Sequence, residues 1–262
     1  VVIGNPPYSY VSSNIGSWIT SLVRDYYKVD GHPLGERNPK GLLDDYVKFT
    51  RLSHYQIQQS QYGIVGFICN NGFIDNPTFK GMRHSLMDTF NKIQILDLHG
   101  SAKKKETDAA GKADENVFDI QQGVSINIFT KMPTLDNSNP KIQHCDYTGS
   151  REEKYKLLKV KTSGCVNWEC AHAASPEFMF FPRDSKLQKE YEQYIPIVDA
   201  FQSAIAGFKT HRDHFAVAFD KATLQERITS MRSTGLSDAE LKTSFNLTDT
   251  RDWKLPKARA KL

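Results

Sequence analysis

Four apolar runs set between helix-patterned and polar segments constrain this chain more than any other feature. "VVIG" (1–4), "YGIVGFICNN" (62–71), "KIQILDLHG" (92–100) and "VSINIFTK" (124–131) have the length and composition of strands. Elsewhere apolar residues recur at helical spacing, as at Ile15, Trp18, Ile19, Leu22, Val23 and Tyr26. "LLDDYVKFTRLSHYQIQQ" and residues 79–91 read as two further helices. Strands alternating with helices imply an α/β domain with a mostly parallel sheet. In such sheets the working residues sit on loops at the carboxyl ends of strands. That rule singles out Asn5–Tyr8, Asn70-Asn71 and the polar loop after "LDLHG".

The loop 101–116 carries dense charge of both signs and almost no apolar residue, so it reads as solvated and mobile. Lys103, Lys104 and Lys105 within it are candidates for contact with a polyanionic backbone. From about residue 133 the pattern changes: "MPTLDNSNP" is a turn-rich linker, and the chain beyond it interleaves aromatic and charged residues. Its last fifty or so residues read as short helices, one starting at Ser237 with Glu240 three residues on, the pattern of a capping box. The expected division is therefore 1–132 and 133–262. Lys209 and Arg212, in the second part, are further candidates for phosphate contact.

Composition narrows the class. A 39% hydrophobic content suffices for a packed core, and a net charge of +4 permits a polyanionic partner without demanding one. Cys69, Cys145, Cys165 and Cys170 are scattered, nothing resembles a signal peptide, and no apolar run is long enough to span a bilayer. A reducing cytoplasm and no membrane partner are expected. The spacing of Cys165, Cys170 and His172 lacks the paired pattern of structural zinc sites, so no metal site is expected there or at His144 and Cys145. The chain opens inside a strand without an initiator methionine, which suggests an excised piece of a longer protein.

The exit of the first run, Asn5-Pro6-Pro7-Tyr8, carries the most specific chemistry. Two prolines fix φ and remove two backbone donors, so the segment leaves the strand rigidly. An amine conjugated to an aromatic ring is a poor nucleophile. Two acceptors, the Asn5 side-chain carbonyl and the Pro6 backbone carbonyl, would draw such an amine toward tetrahedral geometry, and preorganisation makes that effective. Tyr8 offers a flat face for a base removed from its stack.

This tetrapeptide resembles the catalytic signature of adenine-N6 DNA methyltransferases. "LLDDYVKF", "YGIVGFICNNGFI" and "NVFDIQQGVSINIFTK" resemble later motifs of that family, while "ERNPKGLLDDYVKF", "TFKGMR", "LDLHG", "DENVFDIQQGVSI" and "GFKTHRD" resemble the methyltransferase part of the type ISP restriction-modification enzymes. The resemblance implies the second half of a Rossmann-like, S-adenosylmethionine-dependent methyltransferase sheet followed by a mixed, partly helical recognition segment. It implies catalysis by Asn5, Pro6, Pro7 and Tyr8, substrate contact by Tyr8 and Phe118, and cofactor contact by Asp45 and Tyr46. It also implies double-stranded DNA and the remaining N-terminal part of a parent protein as partners. The glycine loop that holds S-adenosylmethionine precedes the catalytic motif in this order, so the expected cofactor pocket is incomplete and the fragment inactive alone. The alternatives are a DNA-recognition module with a non-catalytic base-holding loop, or methylation of RNA or protein glutamine.

Overall fold

The computed structural model describes residues 1–262 except 11, 37–38, 109, 135–138, 161, 202, 204–209 and 251–252. The chain divides into two compact units, Val1–Glu192 and Gln193–Leu262.

The first unit is a six-stranded sheet flanked by helices. Its elements are β1 (Val2–Gly4), α1 (Ser17–Val23), a hairpin of β2 (Lys28–Val29) and β3 (His32–Pro33), α2 (Asp45–Gln58), β4 (Gly63–Asn70), α3 (Lys80–Thr89), β5 (Lys92–Asp97), β6 (Val124–Lys131), β7 (Lys141–Asp146), α4 (Arg151–Val160), β8 (Glu169–Ala171) and α5 (Ser185–Tyr191). The strand order is β1-β4-β6-β5-β7-β8. The pairs β1–β4 and β5–β7 are parallel, whereas β4–β6, β5–β6 and β7–β8 are antiparallel. The sheet is thus mixed, not mostly parallel as the alternation suggested. The reason lies in the long excursion 98–123. It leaves β5 and re-enters the sheet from the same end, so β6 must run back between β4 and β5.

This topology points β1, β4, β5 and β7 the same way. Their carboxyl ends, and the start of β6, share one edge of the sheet. The core lies between the sheet and α2 and α3, where Tyr46, Val47 and Ile57 meet Val65, Phe67, Cys69, Met82, Leu86 and Phe129. Alternation along β4 buries Gly63, Val65, Phe67 and Cys69, as a pleated strand with one covered face requires. Asp44 caps α2 by accepting from the Tyr46 N–H, and it also accepts from the Ser9 N–H at 2.9 Å, which fastens the segment after Tyr8 to the helix.

The expected boundary at residue 133 does not coincide with a structural one. β7 and β8 extend the same sheet, and the first unit closes at Glu192. Residues 135–138 of the proposed linker lie outside the described residues. The polar appearance of 133–192 arises because its strands lie toward one side of the sheet and need fewer buried side chains.

The loop 101–116 also departs from expectation. Asp114 and Lys154, both with fully buried side chains, form an ion pair at 2.8 Å. Lys154 Nζ donates to the carbonyls of Leu98 and Glu115, and Asp114 accepts from the Gly100 and Gly149 N–H groups. Dense charge in this segment therefore does not mean a fully solvated loop. One of its carboxylates is consumed by a lysine forty residues away in sequence, on α4.

The second unit holds α6 (Ile197–Ala200), α7 (Asp213–Ala216), α8 (Lys221–Arg232), α9 (Asp238–Ser244) and α10 (Leu255–Arg259). Phe215, Met231, Leu241, Leu247 and Leu255 form its core. The Ser237–Glu240 capping box is present in both directions. Among the described residues, no helix is long and apolar enough to cross a membrane.

Candidate nucleic-acid interface

The shared strand edge gathers the residues that the sequence singled out. At the exit of β1, Asn5 is exposed, Pro6 buried and Pro7 exposed. The Tyr8 hydroxyl donates to Asn5 Oδ1 at 3.1 Å and lies 3.4 Å from the Ile68 carbonyl on β4. Burial, with a smaller contribution from Cys69, pushes the Tyr8 phenol well above its usual range, so it remains a neutral donor. Tyr8 and Phe118 pack against one apolar cluster, Leu96, Leu98, Val117 and Val124. These two aromatic residues, 110 positions apart in sequence, thus border the same apolar ground. The Phe118 N–H is held by Asn116 Oδ1 at 2.8 Å, and Asn116 Nδ2 in turn bonds the Gly100 and Gln122 carbonyls, so the turn carrying Phe118 is internally braced.

Further along the edge, Asn71 donates to Asp97 Oδ1 at 2.9 Å, and the His99 N–H reaches the same oxygen. Burial raises the Asp97 carboxyl, opposed by His99 and the hydrogen bond from Asn71. Burial alone would lower His99, but its hydrogen bond to Asp146 and the neighbouring carboxylates outweigh that and lift it to about 9. Asp97, His99, His144 and Asp146 were not identified from sequence as one group. Their two short segments lie about forty-five residues apart, and only the β5–β7 register joins them.

The remaining candidates are dispersed. Asp45 accepts a hydrogen bond from Ser12 Oγ, and Tyr46 is buried among Cys69, Phe79 and Arg83 with no partner for its hydroxyl. Lys103, Lys104 and Lys105 are exposed, and Lys104 pairs with Asp75 at 3.2 Å. Lys209 lies outside the described residues. In the second unit, the Arg212 guanidinium sits 3.8 Å from the centre of the Trp253 ring and donates to the Thr210 and Thr248 carbonyls. Such stacking and carbonyl contacts hold the arginine to its own unit.

Residues 199–262 match the Type ISP C-terminal specificity domain. No curated protein matches the chain. Among solved structures it resembles the ATP-dependent Type ISP restriction-modification enzyme LlaBIII bound to DNA, with a TM-score of 0.61 and 23% identity over 96% of this chain and 18% of that one. It resembles a nuclease-deletion mutant of the Type ISP enzyme LlaGI in complex with a DNA substrate mimic, with a TM-score of 0.64 and 23% identity over 97% of this chain and 26% of that one. A DrdV–DNA complex is similar at a TM-score of 0.62 and 21% identity, over 99% of this chain and 28% of that one. At these identities the likeness establishes the fold: a mixed α/β sheet followed by a helical segment. The chain spans between 18% and 28% of the length of these structures.

The domain match corrects the assignment drawn from the opening motif. The matched region, residues 199–262, resembles a domain named for specificity and not for catalysis. The reading of this chain as an adenine-N6 methyltransferase piece, an enzyme that flips a base and draws on S-adenosylmethionine, is withdrawn accordingly. The tetrapeptide misled because four residues specify a rigid exit from a strand, and say nothing of whether a methyl donor is bound beside it. The S-adenosylmethionine requirement goes with the catalytic reading, since recognition needs no group donor.

Proposed function

We propose that this chain is a DNA target-recognition module of a Type ISP restriction-modification protein, with Asn5–Tyr8 acting as a non-catalytic loop that holds a base edge. The observation that carries the reading is the match of residues 199–262 to the specificity-domain family. Charge supports it. Lys221, Arg232, Lys254, Lys257 and Lys261 are exposed on the second unit, where phosphate contacts would position a duplex without reading it. Phe219 is fully exposed just before α8, and a phenyl ring of that kind suits apolar contact with a thymine methyl. The Arg227 guanidinium holds the Phe215 and Val217 carbonyls, which stiffens the turn that presents Phe219. A larger parent protein and a cytoplasmic setting accompany this reading.

The test is binding of the chain to duplex DNA by fluorescence anisotropy between roughly 50 and 200 mM salt. The logarithm of the binding constant should fall linearly with log salt concentration, and Lys254→Ala with Lys257→Ala should flatten the slope by about one unit for each phosphate contact removed. Tyr8→Ala should weaken binding by about 1–3 kcal/mol if its ring supports a base. Salt-independent binding, or none, would remove the recognition reading. An unchanged affinity in Tyr8→Ala would remove the loop from it.

A further inference from the structure

The carboxyl ends of β5 and β7 bring together three residues that no motif connects. The parallel register sets Asp97 beside Asp146 and Ile95 beside His144. Because side chains alternate along a strand, Asp97, His144 and Asp146 share one face of the sheet. One ligand atom from each lies within 4.8 Å of the others. Asp97 is 7% and His144 2% exposed, while the Asp146 side chain stands at the mouth. These residues line a pocket of about 170 Å³ together with Asn71, His99 and Lys104.

The imidazole of His144 is the least satisfied group in the pocket. It is buried, its Nε2 has no hydrogen-bond partner, and its Nδ1 stands 3.6 Å from Asp146 Oδ2, too far for a good hydrogen bond. Buried polar nitrogens are nearly always satisfied, so a ring with neither nitrogen well bonded, set against two carboxylates, is suited to a ligand. The lysine in the pocket does not supply one, because Lys104 is paired with Asp75. The surroundings are those of a held site. Asn71 and the His99 N–H orient Asp97, and His99 Nε2 bonds Asp146 Oδ1 at 2.7 Å while its Nδ1 faces Glu106 at 3.3 Å. Such outer hydrogen bonds fix ligand orientation in metal centres.

We propose that Asp97, His144 and Asp146 bind a divalent first-row transition ion, of the Zn²⁺ class, with one coordination position open to the pocket mouth. One imidazole and two carboxylates suit such an ion better than Mg²⁺, which favours oxygen alone and keeps its waters. The ion would tie the exit of β5 to the exit of β7, at the root of the loop that carries Phe118. This site does not involve Cys165, Cys170 or His172.

The test uses the whole chain, stripped with chelator and then titrated with ZnCl₂ by calorimetry and with Co²⁺ by visible absorption. One saturable equivalent is expected, with intense d–d bands for Co²⁺ and a rise in the unfolding temperature. Asp146→Asn, at the exposed member of the set, should weaken binding at least tenfold, and His144→Gln should do the same. The Cys165→Ser/Cys170→Ser variant should bind as the parent does. The absence of saturable binding would overturn the proposal, as would an affinity that Asp146→Asn leaves intact or binding lost with the two cysteines. If His144→Gln does not fold, Asp146→Asn decides alone.

Discussion

Replacing Lys154 by methionine tests how the loop 98–123 is held. The side chains of Lys154 and Asp114 are both fully buried and 2.8 Å apart, and the ammonium group also satisfies the Leu98 and Glu115 carbonyls at 2.7 and 2.6 Å. Methionine fills a similar volume, so cavity formation adds little. What remains is a buried carboxylate with two N–H donors, Gly100 and Gly149, and two carbonyls that have lost a donor. Removing one partner of such a pair typically costs about 3–5 kcal/mol, because the other charge stays desolvated. For a unit of this size that corresponds to a fall in unfolding temperature of roughly 6–20 °C. Adding Asp114→Asn should recover part of the loss, since the amide oxygen still accepts an N–H bond without carrying a charge. Denaturant unfolding would give the energies, and hydrogen exchange of peptides from 98–123 would locate the effect. A cost for Lys154→Met below about 1 kcal/mol, the value of an exposed pair, would refute a buried and uncompensated Asp114. Strict additivity of the two substitutions would refute it as well.

Three further outcomes are expected. Burial, aided by Arg51 on its own helix and Lys131 on β6, lowers His54 to about 3. Its ring nitrogens face the Tyr26 hydroxyl and Thr89 Oγ1, and Phe90 packs against it. The unfolded chain takes up a proton below about pH 6.5 and the folded chain does not, so stability falls from there toward pH 3 by about 1.4 kcal/mol per unit. The stability gap between the parent and His54→Gln should therefore shift by about 2 kcal/mol against the parent between pH 7 and 5, and a gap independent of pH would refute this. At Gly81 on α3 a Cβ would lie 2.3 Å from the Tyr26 carbonyl oxygen and 2.7 Å from that of Lys28. Gly81→Ala should thus destabilise by about 1–3 kcal/mol despite alanine's higher helix propensity, and a stabilised variant in thermal unfolding would contradict that close approach. Arg83 donates to the Phe73, Asn76 and Glu177 carbonyls from a fully buried position, so Arg83→Met should lower stability by about 2–4 kcal/mol in the same assay.

Local order determined much of this protein. The apolar runs at 1–4, 62–71, 92–100 and 124–131 are strands, and the helical spacing in 45–58 and 80–89 is helix, because periodicity reports which face a segment must bury. The capping box at Ser237 is legible for the same reason, since all its partners lie within four residues. Tertiary structure alone decided the rest. The reversed direction of β6, the boundary at Glu192, the capture of Asp114 by Lys154, and the meeting of Asp97 with His144 and Asp146 all depend on pairings between segments distant in sequence. No periodicity records which strand lies beside which. A motif of four residues shows what a loop can hold, but which groups surround it is set by the register of the sheet.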